Sequence, residues 1–258
     1  MKKIIYSVCA LGALVFTSCS NEVDMFETIG TPKGTLNVNC TYDTDLSTRA
    51  AQNADASWII KAGETTLSQG TNTIPEGAYT VTASNYADEA AALKANSSWG
   101  DAFYTGSQSG VVVKKGANTD ISIACGKAKN ARMKVNFNLL TSFTDVKLVA
   151  DPTTTEPAYT GRNLEFNTGE NAGKLAYFAA SATVKCKLSY TFSGSVKEKD
   201  FDFALAGAAT ENVITVKTND NGTISINLSN ITYDNVFGSG NEQIITIDAV
   251  SGEEVQQQ

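Results

Sequence analysis

The chain reads as an all-β protein, two tandem β-sandwich domains with one short helix in the first. Three observations carry that expectation. Gly, Thr, Ser, Asn and Val are plentiful, which is the composition of strands and turns. Apolar and polar residues alternate over many short runs, whereas long amphipathic periods of 3.6 residues are scarce. Turn residues separate those runs at short intervals, and about 240 residues follow the first 18, a length for one large or two ordinary domains.

Residues 19–33 form a polar, acidic tether in which Gly30 and Pro32 break regular structure. The first domain, 34–127, opens on Leu36, Val38, Cys40 and Tyr42 alternating with Asn37, Asn39 and Thr41, so one face is buried and the other wet. After a loop through Arg49 and Gln52, residues 57–61 and 65–67 flank Ala62-Gly63-Glu64 as a hairpin. Pro75-Glu76-Gly77 then turns the chain into a strand over 78–83. Residues 87–95 are Ala-rich with Leu93 and predict a short helix capped by Ser84 or Asn85, one that needs the sheet for stability. Strands at 111–114 and 119–125, joined across 115–118, close the domain.

The polar stretch Gly126-Lys127-Ala128-Lys129-Asn130 marks the boundary, and the second domain, 128–250, begins as the first did. Met133, Val135, Phe137 and Leu139 alternate with Lys134, Asn136 and Asn138. Val146, Leu148 and Ala150 follow, then Leu164 and Phe166 before a glycine-bearing loop over 167–173. In the clearest strand Val184, Cys186, Leu188, Tyr190 and Phe192 point one way. Strands at 213–217 and 223–228 make a hairpin over Asn219-Asp220-Asn221-Gly222, and 243–248 is a last strand before the polar tail 251–258. The domains carry a weak internal repeat. Val113 precedes Ile121-Ser122-Ile123 as Val216 precedes Ile224-Ser225-Ile226, and Val81 precedes Val113 by the interval at which Val184 precedes Val216.

Composition excludes several functions. A net charge of -7 with no Lys/Arg cluster repels phosphate backbones, so no nucleic-acid partner is expected. The sequence has no histidine, which removes Ser-His-Asp and Cys-His nucleophiles and His-based zinc sites together. With no other catalytic signal, no enzyme activity, cofactor or metal is expected. Cys40, Cys125 and Cys186 are spaced unlike paired C-x-x-C ligands and fall on the apolar side of alternating runs. Cys40 and Cys125 are either a disulfide, if their strands are neighbours, or two buried thiols; Cys186 is unpaired in both cases.

Location is written at the N-terminus. Lys2-Lys3, the apolar run from Ile4 to Phe16 and Phe16-Thr17-Ser18-Cys19 resemble a bacterial lipoprotein signal, 1–18, with Cys19 as the lipidated first mature residue. The apolar run is too short to span a bilayer, which takes about 20 residues. The resemblance implies three acyl chains on Cys19, hence stable attachment to a membrane. In the lipoproteins that this start resembles, a residue such as Ser20 after the cysteine permits transfer to the outer membrane, and early acids, here the scattered Glu22, Asp24 and Glu27, favour display at the cell surface.

Few residues stand out as sites. Trp99, Phe103 and Tyr104 lie in a polar, Gly/Ser-rich stretch. They form either an aromatic platform for a sugar ring or the cover over the end of the sandwich beneath the helix. Tyr233 and Phe237 pose the same choice. Asn219-Asp220-Asn221-Gly222 reads as a turn rather than a calcium loop, because Lys217 stands where the first acidic ligand belongs, and Asp43-Thr44-Asp45 reads as a solvated loop.

The lipoprotein box, Gly34-Thr35-Leu36-Asn37-Val38, Thr48-Arg49-Ala50, Pro75-Glu76-Gly77-Ala78-Tyr79, Phe103-Tyr104-Thr105-Gly106, and Ile121 to Cys125 running into Ala131 to Phe137 together resemble a Bacteroidetes lipoprotein family, a domain of unknown function. Its layout is similar to fimbrillin-type and fimbrial-anchor lipoproteins built of tandem, transthyretin-like β-sandwiches. The resemblance implies an outer-membrane surface protein in a non-catalytic adhesion or fimbria-associated role, with surface or fimbrial proteins as partners. A glycan-binding lipoprotein of a polysaccharide-uptake system is the alternative. It also makes Arg49 a candidate processing site, since cleavage there would free the first strand and open a groove for another subunit's strand.

Overall fold

The computed structural model describes residues 30–43, 51–53, 57–152, 161–232 and 243–255. The signal 1–18, Cys19, Arg49, Tyr233, Phe237 and most of the Asp43-Thr44-Asp45 loop lie outside them. Alternation builds the first sandwich. Strand β1 (Lys33–Asp43) runs antiparallel to β5 (Gly70–Pro75) and, at its far end, to β2 (Ala51–Asn53), and parallel to β8 (Asn118–Gly126). The second sheet has the order β4 (Thr65–Leu67), β3 (Ile59–Ala62), β6 (Gly77–Ser84), β7 (Thr105–Val113), all antiparallel. Since side chains alternate across a strand, Leu36, Val38 and Cys40 share a face with Ile121, Ile123 and Cys125. That face forms one core with Ile60, Val81, Ala83 and Val113. β7 and β8 are consecutive yet belong to opposite sheets, so residues 114–117 carry the chain across the sandwich, with Gly116 at φ +66°.

In the second sandwich one sheet has the order β12 (Ala176–Phe178), β9 (Ala131–Asn138), β15 (Thr210–Thr218), β16 (Thr223–Thr232), β17 (Gln243–Asp248), with β9 and β15 parallel. The other has the order β11 (Leu164–Asn167), β10 (Phe143–Ala150), β13 (Thr183–Phe192), β14 (Ser195–Ala204). Met133, Val135, Ile214, Val216, Ile224 and Ile226 from the first sheet bury against Leu148, Phe166, Leu188 and Tyr190 from the second. The fold is therefore all-β, with two sandwiches, each around its own core.

Both sandwiches follow one path. β1 corresponds to β9, β3 and β4 to β10 and β11, β5 to β12, and β6, β7 and β8 to β13, β14 and β15. In each, the opening strand has an antiparallel neighbour on one side and a parallel one on the other. The sequence interval pairs the right strands once and the wrong ones next. Val81 and Val184 occupy corresponding strands, but Val216 lies in β15, the partner of β8, whereas Val113 lies in β7. The helix-bearing insertion between β6 and β7 lengthens the first path by about a strand, while β13 and β14 join through Ser193-Gly194.

Four strands were not expected from the sequence. Gln52, read as loop, lies in β2 and pairs with Tyr42, and β12, at three residues, is too short to show a period. β5 buries only Ile74, and β14 is a sheet edge whose Val196, Glu198, Asp200 and Asp202 face water, while Lys197 and Lys199 share the inward register with Phe201 and Phe203. Edge strands are commonly charged in this way, which blocks pairing with other chains. Lys187 Nζ on β13 meets Glu198 at 3.1 Å.

Cys40 and Cys125 lie on the neighbouring strands β1 and β8 and, like Cys186, are buried free thiols. Burial pushes Cys40 up to about 11, pushes Cys125 up to about 12 with the nearby Cys40 adding to the effect, and raises Cys186 as well. The thiolate is the reactive form, so all three are inert in the folded chain. An aromatic disulfide reagent should find no reactive cysteine in the native chain from Ser20 onward at mildly alkaline pH and three after unfolding. One after unfolding would mean that Cys40 and Cys125 are joined. Leu148→Ala, which empties a fully buried position, should cost about 2–5 kcal/mol by chemical denaturation.

Candidate functional site

The insertion between β6 and β7 holds the features that the sandwiches do not explain. Asp88, rather than Ser84 or Asn85, caps α1 (Glu89–Lys94), its Oδ1 accepting from Ala91 N at 2.7 Å. The amide of Asn85 is engaged elsewhere: Oδ1 accepts from Tyr104 N at 2.8 Å and Nδ2 donates to Ala102 O at 2.7 Å. After α1, Asn96, Ser97 and Ser98 all take positive φ, a conformation that costs non-glycine residues roughly 1–2 kcal/mol each. Such strain persists only where the surroundings enforce it.

The surroundings are the second sandwich. Trp99 packs against its core, edge-on to Phe166 with centroids 5.0 Å apart, and Lys174 Nζ sits 5.0 Å over the indole. Trp99 O accepts from Tyr177 N at 2.8 Å. Gly100, at φ +80°, allows this approach, since a Cβ there would stand 3.0 Å from the Cβ of Tyr177. Arg162 completes the clasp. It lies 4.2 Å over Phe178, pairs with Asp151 at 3.5 Å, and donates to Ser98 O at 3.0 Å and Leu93 O at 3.4 Å.

The stretch Gly126-Lys127-Ala128-Lys129-Asn130 is pinned to the same insertion. Lys129 N donates to Phe103 O at 2.7 Å. Asn130 is 1% exposed, and its Oδ1 accepts from Phe103 N at 3.1 Å, its Nδ2 donates to Asp101 O at 2.7 Å and its backbone O accepts from Ala209 N at 3.1 Å. A buried amide is stable only with its donors and acceptors matched, and these are supplied from both sides of the boundary.

The three aromatics of residues 99–104 therefore do not form one exposed platform. Trp99 belongs to the second core, Tyr104 is buried in the first, and Phe103 lies between them, half-buried. Beside them is a cleft of about 250 Å³ between the sandwiches, lined by Tyr42 and Trp58 of the first, Asn85, Asp101 and Tyr104 of the insertion, and Tyr177 of the second. Tyr42 packs on Trp58 at 5.7 Å and on Tyr104 at 4.5 Å. Asp101 accepts from Tyr86 at 2.8 Å; burial, then this bond, pushes the Tyr86 phenol up to about 12, so it remains a donor. Sequence order hides the cleft, because its aromatics come from distant strands.

Elsewhere the polar motifs are internally engaged. Asn219 Nδ2 donates to Thr223 Oγ1 at 3.1 Å and Ser225 Oγ at 3.0 Å, and Asn221 Oδ1 accepts from Thr223 N, closing the β15–β16 turn. Among the described residues no three His, Cys, Asp or Glu side chains are grouped to hold a metal ion.

The family described as Domain of unknown function (DUF4493) matches residues 37–257. No curated protein matches the chain by sequence. Among solved structures the chain is similar to a candidate cell adhesion protein of Bacteroides ovatus, at 7% identity, 81% coverage of this chain and 96% of that one, with a TM-score of 0.42. It is also similar to a fimbrial assembly protein of Parabacteroides distasonis, at 10% identity, 82% and 98% coverage, with a TM-score of 0.39.

If Trp99 clasps the two sandwiches, Trp99→Ala should cost about 3 kcal/mol, the low end for a large aromatic because the ring is only partly buried. A double-mutant cycle of Trp99→Ala with Phe166→Ala, read by chemical denaturation, should give a coupling of about 0.5–1.5 kcal/mol, as for an edge-to-face pair. Additive effects would contradict the clasp.

Proposed function

The chain belongs to the family described as Domain of unknown function (DUF4493), and from that premise we propose that it is a surface-exposed, non-catalytic lipoprotein that works by contact, in adhesion or as an accessory of a fimbria. The observation that carries the proposal is the clasp. Trp99, Arg162 and Asn130 tie two sandwiches of matching topology together across the boundary, and this favours a stiff spacer over two independent binding modules.

Lipid on Cys19 would fix one end of this spacer to the outer membrane, and residues 19–33 would set its reach. Domains divided as 34–127 and 128–250 follow from the same reading. The partners it favours are other surface or fimbrial proteins.

Metabolic labelling with a palmitate analogue should mark the wild-type chain and leave Cys19→Ala unlabelled. Protease added to intact cells should degrade the wild-type chain. Label persisting on Cys19→Ala would remove the anchor, and a chain degraded only after lysis would remove the surface role.

A further inference from the structure

The cleft at the junction gathers aromatic surface from both sandwiches. Tyr42, Trp58 and Tyr177 line it, and Tyr42 and Trp58, which pack on the first core with one part of their surface, keep another part exposed. Polar groups converge on the same space. Each carboxylate oxygen of Asp101 already accepts one hydrogen bond, from Tyr86 or from Ala102 N, which fixes the carboxylate in place and leaves its remaining lone pairs for a further donor. The Trp58 indole N–H is buried without an acceptor, and an orphaned buried donor costs about 1–3 kcal/mol until one is supplied.

We infer that this cleft is a binding site for a neutral saccharide, with one pyranose ring laid against Tyr42 and Trp58. Three features select that class. Rings with an apolar C–H face and a hydroxyl rim match an aromatic wall beside fixed polar groups, whereas a purely apolar ligand would leave Asp101 and the indole N–H unmatched. The volume of about 250 Å³ falls below the range of about 300–1,000 Å³ typical of drug-sized ligands, and so suits a single ring of a longer glycan. Asp101 puts a carboxylate at the wall, and Arg132, the cation beside Tyr177, is already paired with Glu211, so uronic and sialic acids are disfavoured.

Because Tyr177 comes from the second sandwich and Trp58 from the first, the site exists only while the junction is closed. A bound ring would in turn strengthen the junction. This site does not depend on whether the chain joins a fimbria, so it can fail or stand separately from the contact role.

The test uses the chain from Ser20 onward, which keeps every described residue, on an array of neutral and acidic oligosaccharides, followed by titration of tryptophan fluorescence with the best neutral binder. The sequence has two tryptophans, which makes the optical signal assignable. Binding to neutral glycans should fall at least tenfold in both Trp58→Ala and Tyr42→Ala. The fluorescence change should persist in Trp99→Phe and vanish in Trp58→Phe, a substitution that keeps a ring in place and guards against loss of the fold. No neutral glycan bound, preference for acidic glycans, or affinity unchanged in folded Trp58→Ala and Tyr42→Ala would each overturn the assignment.

Discussion

A single buried amide at the point where one sandwich hands over to the next constrains how the whole molecule is arranged. Asn130 cannot be withdrawn from water unless Phe103 N, Asp101 O and Ala209 N stand where its two side-chain polar atoms and its carbonyl need them. Those three groups belong to the insertion before it and to a loop well after it. Satisfying Asn130 therefore places the insertion against the second sandwich, and Trp99 then reaches Phe166. The left-handed run of Asn96, Ser97 and Ser98 is intelligible in the same terms: it is unfavourable alone and is compensated by the seating of the indole and by Arg162 on Ser98 O.

Seen this way, the sandwiches are a scaffold used twice and differentiated by what is added. The first carries the helix-bearing insertion between its β6 and β7; the second replaces that segment with a tight hairpin and extends its other sheet with β16 and β17. Each addition serves a different end. Strands β16 and β17 widen the second core with Ile224, Ile226 and Ile247, while the insertion forms the junction and one wall of the cleft. Arg132 and Lys134 both meet Glu211, whose side chain is 8% exposed, at 2.6 Å, so the strands next to the junction are also held by charge. Glu211 is the costly member to disturb, because removing it leaves two cations without the carboxylate they share.

Strands with one wet and one buried face were legible from their alternation, as with Leu36, Val38 and Cys40 or Val184, Cys186 and Leu188. β14 was not, since Lys197 and Lys199 occupy half of its inward register and leave only Phe201 and Phe203 as an apolar signal, and β5 was not, since it offers the core only Ile74. The repeat was visible as spacing but misaligned, because an insertion of about one strand's length shifts the interval onto the next valine-rich strand. The junction was the least legible part. Asn130 reads as one more polar linker residue, and only its burial reveals its role; Trp99 and Tyr104 are near in sequence but enter different cores. Tyr42, Trp58 and Tyr177 carry no local signal at all, because tertiary contact alone unites them.

If the clasp makes the two sandwiches one cooperative body, scanning calorimetry of the unaltered chain from Ser20 onward will show it. A clasped pair should melt in one transition whose calorimetric enthalpy equals its van't Hoff enthalpy. Two resolved transitions, or a calorimetric enthalpy near twice the van't Hoff value, would mean that each core unfolds on its own, and would contradict the account.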